Sequence, residues 1–149
     1  MAGSFGYELD LNRLSDEERE QVKKQICAYK GYQDLIYNGD YYRLSNPFCD
    51  EMAAWSFLSA DRTKALVQGV VFRARANLVR HRVRLAGLKK DALYRSKEGA
   101  VYTGSALMAA GILLPEIKGD DVSFELYLEI ISSEEKNAMQ AGGAQNAKD

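Results

Sequence analysis

The apolar positions at the start of the chain predict a strand followed by a long helix. Phe5–Leu11 is a strand-like run, and Ser15 and Glu18 after it have the spacing of a capping box, in which each side chain bonds the other's backbone amide. The apolar spacing beyond it predicts a helix over Asp16–Tyr37, ended by Gly39 in the left-handed conformation. The apolar stripe of this helix consists of Val22, Ile26, Tyr29 and Ile36.

Beyond Asp40 the pattern changes to short β-forming runs separated by Gly, Asn, Asp and Lys. The last run alternates strictly between apolar and polar residues, as a half-buried strand does. Ser59–Lys64 is expected to form a hairpin turn, Ser105–Ala110 a short helical turn and Gly111–Pro115 a loop. The predicted strands are Tyr41–Leu44, Ala53–Leu58, Ala65–Arg73, Arg82–Leu85, Leu93–Arg95, Ala100–Tyr102 and Ser123–Ile131.

This order of elements predicts a mainly β fold. We expect an antiparallel β-sandwich of about seven to eight strands, preceded by one strand and one long α-helix. The predicted units are residues 1–39 for the strand and helix, 40–131 for the sandwich, and 132–149 for a small, polar and poorly ordered tail.

Composition narrows the class of protein. With 149 residues, 46% hydrophobic and 28% charged, the chain has the composition of a globular protein. A net charge of −1 provides no general attraction for nucleic acid or anionic lipid. No apolar run is long enough to span a membrane and no signal peptide is evident, so neither a membrane partner nor secretion is expected, and a cytoplasmic location is predicted. Cys27 and Cys49 are expected to be reduced, half-buried thiols.

A basic stretch has two interpretations. Nine cations within 25 residues are typical of a polyanion-binding groove, which would make this a free-standing polyanion-binding domain. The favoured alternative is a solvated strand face, on which Arg82 or Arg84 pairs with Glu125 and Glu129, so no nucleic-acid partner is predicted. The nine cations are Arg73, Arg75, Arg80, Arg82, Arg84, Lys89, Lys90, Arg95 and Lys97.

Aromatic residues concentrate between positions 29 and 57. Exposed rings can stack on the apolar faces of sugars, so Trp55, Tyr41 and Tyr42 are candidates for a carbohydrate-binding module. The favoured alternative is that these rings fill the seam between the helix and the first strands.

No self-sufficient catalytic or metal centre is recognisable. His81 is the only histidine, and no second His or Cys is spaced to share a metal with it, so a structural or surface role is expected. Glu8 and Asp10 end the opening run without a partner strand. No nucleophile elbow, phosphate-binding loop or zinc signature occurs, and no cofactor is predicted.

Several longer motifs resemble the C-terminal portion of family 36 glycoside hydrolases, the bacterial and fungal α-galactosidases. They are "GSFGYELDL", "LSDEEREQVKKQICAYKGYQDLIYNGDYYRLSNPF", "AAWSFLSADRTKALVQGVVFRARAN", "RVRLAGLKKDALYR" and "VYTGSALMAAGILLP", which together cover roughly residues 3–130.

The resemblance implies that residues 1–39 are the last strand and helix of a (β/α)8 barrel and that the sandwich follows it. The family's two catalytic aspartates would lie upstream, so no residue here inherits a catalytic role. The partner would be the catalytic barrel of the same enzyme, contacted through Val22, Ile26, Tyr29 and Ile36, and a homo-oligomer is a further expected assembly. Without that barrel, an exposed apolar patch near the helix is predicted.

Overall fold

The structure is a computed structural model that describes residues 3, 5–8, 10–73, 80–132 and 135. In these residues it contains a short 3-10 helix at Leu11–Arg13, two α-helices and eight strands. The elements are α1 (Asp16–Asn38), β1 (Asp40–Arg43), β2 (Met52–Leu58), β3 (Lys64–Val71), β4 (Arg82–Val83), β5 (Leu93–Ser96), β6 (Val101–Thr103), α2 (Gly104–Ala109), β7 (Ile112–Leu113) and β8 (Val122–Ile130).

Six strands form one antiparallel sheet in the order β1-β2-β3-β8-β5-β6, and β4 and β7 form a second, two-stranded sheet. The last strand, β8, therefore lies between β3 and β5, so the chain closes the sheet with its C-terminal strand. The predicted mainly β, antiparallel fold with one long helix is confirmed. The Ser59–Lys64 hairpin is also formed, with Arg62 in the left-handed region at φ 58°.

The six-stranded sheet is covered on both faces. One face packs against β4, β7 and α2 to make the main core, in which Tyr94, Leu107 and Leu128 are completely buried. The opposite face packs against α1 through a smaller cluster. That second cluster contains Tyr29, Leu35, Ile36, Phe57 and Leu66. Helix α1 and the small sheet thus lie on opposite sides of a shared central layer.

The start and end of α1 follow different rules. The predicted capping box is present, because the Ser15 hydroxyl accepts from the Glu18 amide and the Glu18 carboxylate accepts from the Ser15 amide. The prediction for Gly39 is wrong, since its backbone is extended at φ −83°. Glycine is required there by close approach, because a Cβ would lie 2.4 Å from the Leu35 carbonyl and 2.8 Å from the Leu58 carbonyl.

The opening strand predicted over Phe5–Leu11 is not formed in the described residues. The Phe5 ring instead packs on Tyr29, with ring centroids 5.1 Å apart, and Asp10 caps the 3-10 helix. A strand needs a neighbouring edge to satisfy its backbone, and none of the strands that the structure describes pairs with this segment. The sequence also missed β7, predicted as a loop, and most of the predicted tail lies outside the described residues.

Candidate functional site

The seam between α1 and the six-stranded sheet divides the predicted interface stripe into two parts. Tyr29 and Ile36 are buried inside the chain's own second cluster. Ile26 and Val22, about one and two turns before Tyr29 on α1, are half-buried. The second half of the helix is therefore committed to the sheet, whereas the apolar residues of the first half remain partly open to a neighbour.

Contacts along α1 show how the helix lies on the sheet. The helix ends next to Leu58 of β2, at Gly39. Two turns earlier, the Tyr32 hydroxyl bonds Glu125, which lies in the same row across the sheet as Trp55. The helix thus runs antiparallel to β1. Its 23 residues span about 35 Å, against about 23 Å for the seven residues of β2. The first half of α1 consequently extends past the end of the sheet at which β1 finishes.

A chain of hydrogen bonds crosses the sheet face beside the helix. The Trp55 indole N–H donates to Gln68 Oε1 at 3.3 Å, and Gln68 Nε2 donates to Glu125 Oε2 at 2.8 Å. The Tyr32 hydroxyl donates to Glu125 Oε1 at 2.6 Å. Burial, reinforced by the Glu125 hydrogen bond, raises the pKa of the Tyr32 phenol, so it stays a neutral donor. Trp55, Gln68 and Glu125 line a groove of about 320 Å³.

The three carbohydrate-binding candidates do not share one face. Tyr41 and Trp55 lie on the α1 side of the sheet, where Tyr41 is 55% exposed and packs edge-to-face on Phe57. Tyr42, the residue after Tyr41 on β1, lies on the opposite face and packs against the main core. The structure therefore brings together Tyr41 and Trp55 only, and sugar binding by them stays a prediction.

The predicted pairing of Arg82 or Arg84 with Glu125 and Glu129 of the last strand is wrong. Arg82 lies on β4 in the small sheet, and its guanidinium donates to the carbonyl of Ala110 at 2.9 Å. Glu125 and Glu129 lie on β8, where Glu125 bonds Tyr32 and Gln68, and Glu129 pairs with Lys64 at 3.6 Å. The two sheets separate these charges. Residues 74–79 of the stretch lie outside the described part of the chain.

The remaining chemical candidates form no recognisable centre. In the described residues, no group of three or more His, Cys, Asp or Glu side chains could hold a metal ion. His81 and Asp50 both line a surface groove, and the His81 Nε2 atom is buried without a hydrogen-bond partner among the described residues. Cys27 and Cys49 are free, but both are exposed and not half-buried as predicted. Among the helices described, none has the length and apolar character to cross a membrane.

One exposed aromatic residue was missed as a site residue. Phe48, in the loop between β1 and β2, is 93% exposed, and it exceeds every other large hydrophobic side chain in the described residues. The signal was present in the sequence as an aromatic residue directly after Asn46-Pro47, a typical turn dipeptide.

The fold and these surfaces define an antiparallel β-domain with one long helix and an exposed aromatic turn. The family model described as "Glycosyl hydrolase family 36 C-terminal domain" matches residues 52–128. The chain belongs to this family, as its motifs predicted, and it corresponds to the C-terminal domain outside the catalytic barrel. The chain by itself is therefore non-catalytic.

Known relatives extend the match over most of the chain. It is 53% identical to the bifunctional alpha-galactosidase/sucrose kinase AgaSK of Mediterraneibacter gnavus over 77% of this chain. It is 40% identical to alpha-galactosidase AgaA of Geobacillus stearothermophilus over 88% of this chain. The chain spans only 12% and 18% of these two relatives.

Solved structures show the same correspondence. The galactosidase domain of AgaSK superposes with a TM-score of 0.81 at 45% identity, covering 85% of this chain and 18% of that one. The GH36 α-galactosidase AgaB of Geobacillus stearothermophilus gives a TM-score of 0.84 at 40% identity, covering 87% of this chain and 18% of that one.

Proposed function

We propose that this chain is a domain of an α-galactosidase and that it stabilises the catalytic barrel of the same polypeptide through the first half of α1. The parent enzyme would hydrolyse terminal α-D-galactosyl residues of oligosaccharides. Relatives named as α-galactosidases support this activity, and one neighbouring structure is a variant of AgaA in complex with raffinose.

The observation that carries the proposal is the division of α1. Its second half is fixed to the sheet by Tyr29, Leu35 and Ile36, all buried. Its first half extends past the sheet with Val22 and Ile26 partly exposed. A helix whose second half is fixed to the sheet can bind a second surface with its first half without moving on the sheet. Completing the burial of these two side chains would contribute about 1 kcal/mol each.

A chimera tests the proposal. This chain would replace the matching C-terminal segment of Geobacillus AgaA, and the half-life of α-galactosidase activity would be measured at a fixed elevated temperature. We expect the double substitution Val22→Ser and Ile26→Ser to shorten the half-life about twenty- to thirtyfold, since about 2 kcal/mol of burial would be lost. The chain alone should show no turnover of a chromogenic α-galactoside.

The control is Leu113→Ser, which removes one exposed apolar side chain from the small sheet on the other side of the molecule. It should leave the half-life unchanged. If the helix variant and the control inactivate at the same rate, α1 does not support the barrel.

A second candidate function, carbohydrate binding, is favoured by the groove beside Trp55. An aromatic ring next to the amide of Gln68 and the carboxylate of Glu125 is the chemistry of a sugar subsite. Trp55 is the only tryptophan, so its fluorescence reports on this groove alone. A saturable change on titration with raffinose, but not with a non-galactoside such as maltose, would support the module; a flat titration would count against it. Homo-oligomerisation and a cytoplasmic location stay predictions.

A further inference from the structure

The loop that carries Phe48 is a defined turn. The Phe48 amide donates to the Asn46 side-chain oxygen at 3.1 Å, and the Asn46 amide donates to the Asp50 carboxylate at 2.7 Å. The Asn46 carbonyl accepts from the amides of Cys49 and Asp50 at 3.0 and 2.8 Å. Side chain and backbone thus bond each other across the whole turn.

The base of the turn is fixed to the sheet as well. The Ser45 hydroxyl donates to the Met52 carbonyl at 2.9 Å and accepts from the Ala54 amide at 2.7 Å. Since β2 is a paired strand of the large sheet, the turn is held by the rigid part of the domain. The phenyl ring of Phe48 is therefore presented to solvent by a framework that is already ordered.

Such an arrangement favours binding. An aromatic ring that enters a pocket gains from leaving water, and a turn that is already ordered loses little conformational entropy when it docks. Phe48 contributes almost nothing to the core of this domain, because 93% of it is exposed. Its apolar surface is thus available to another surface.

The turn and the first half of α1 leave the sheet at the same end. β1 runs away from Gly39, where it meets the end of α1, and the Phe48 turn begins where β1 finishes. The helix runs in the opposite direction along the same face, so its first half also projects there. The N-terminal segment packs on the middle of α1, since the Phe5 ring contacts Tyr29 and the Tyr29 hydroxyl donates to the Gly3 carbonyl at 2.8 Å.

We propose that Phe48 inserts into an apolar pocket of the catalytic part that precedes this domain in the same polypeptide, as a contact separate from that of α1. The inference rests on the proposed function. The occupant follows from two observations: the match is to a C-terminal domain, and the chain spans only 12–18% of its relatives, so most of such a polypeptide is a neighbour of this domain.

The test uses the AgaA chimera and the 149-residue chain in parallel. In the chain alone, Phe48→Ser should change the melting temperature by less than about 2 °C, because an exposed ring makes few contacts. In the chimera, the same substitution should accelerate thermal inactivation about tenfold, the effect of losing a central interface aromatic residue. Leu113→Ser, which also replaces an apolar side chain by a polar one, should change neither the melting temperature of the chain nor the inactivation rate of the chimera. A photoreactive p-benzoyl-phenylalanine at position 48 of the chimera should cross-link to a peptide of the preceding catalytic part.

Each other outcome overturns the inference in a different way. An active chimera in which Phe48→Ser inactivates no faster than Leu113→Ser refutes the Phe48 contact and leaves the proposed function in place. If position 48 of one copy cross-links only to the same domain of a second copy, the turn mediates self-association instead. A chimera that is inactive with Phe48 present counts against the proposed function itself, and removes the partner on which this inference depends.

Discussion

Removing one hydroxyl group at Tyr94 should destabilise the whole domain. Tyr94 is completely buried on β5, yet its hydroxyl reaches two surface loops: it donates to the Arg62 carbonyl at 2.7 Å and accepts from the Lys89 amide at 3.1 Å. Arg62 lies in the left-handed region at φ 58°, so this hydrogen bond also fixes the strained position of the β2–β3 hairpin. The substitution Tyr94→Phe removes both hydrogen bonds and keeps the ring.

The expected loss follows from these contacts. Each hydrogen bond contributes about 1 kcal/mol net, and leaving a buried partner unsatisfied costs more than that. Arg62 and Lys89 are exposed residues, so water can replace part of what is lost at their backbone groups. We therefore expect Tyr94→Phe to lower the free energy of unfolding by about 2 kcal/mol.

Urea denaturation followed by circular dichroism measures this loss. With a slope of about 2 kcal/mol/M, the midpoint should fall by about 1 M. The control is Tyr41→Phe, the same chemical change at a residue that is 55% exposed, which should shift the free energy by less than about 0.5 kcal/mol. Equal midpoints for the two variants would show that the Tyr94 hydroxyl does not tie the loops together.

Two further predictions concern the hairpin and the sheet. Hydrogen bonds, first of all from Ser59, lower the pKa of Asp61 from 3.8 to about 2, so the stability that this carboxylate contributes is present above pH 4 and is lost between about pH 4 and 2. Asp61→Asn should therefore flatten the plot of urea midpoint against pH between these values. An unchanged slope would contradict this. Gly69→Ala should lower the free energy of unfolding by about 2 kcal/mol, because the new Cβ would lie 2.4 Å from the Phe124 ring. Gly31→Ala has open space on α1 and should raise the free energy of unfolding by about 0.5–1 kcal/mol. Melting temperatures that shift in the same direction for both variants would refute the packing argument.

Elements with a local signal were predicted well. The Ser15–Glu18 capping box starts α1 where expected, because both partners lie within one turn of the chain. The last strand, β8, alternates as predicted, with Phe124 and Leu128 buried and Glu125 and Glu129 exposed. Period and capping are properties of neighbouring residues, so they can be read without knowing the fold.

Elements that depend on distant partners were not predicted. Phe5–Leu11 has the composition of a strand, but a strand forms only beside another edge, and α1 is its neighbour here. Gly39 was assigned to a left-handed cap, whereas the approach of Leu58 from β2 is what excludes a side chain. In the same way, Arg82 and Glu125 were expected to pair because both lie on strands, and sheet order places them in different layers.

The family motifs, the helix and the alternation of the strands were determined by the sequence alone, because each depends on residues close together in the chain. The tertiary structure alone decided which half of α1 is buried, that Tyr41 and Trp55 share a face without Tyr42, and that Phe48 stands clear of the sheet. Burial depends on what lies opposite a side chain in space, and that is settled only when β1, β2 and α1 meet.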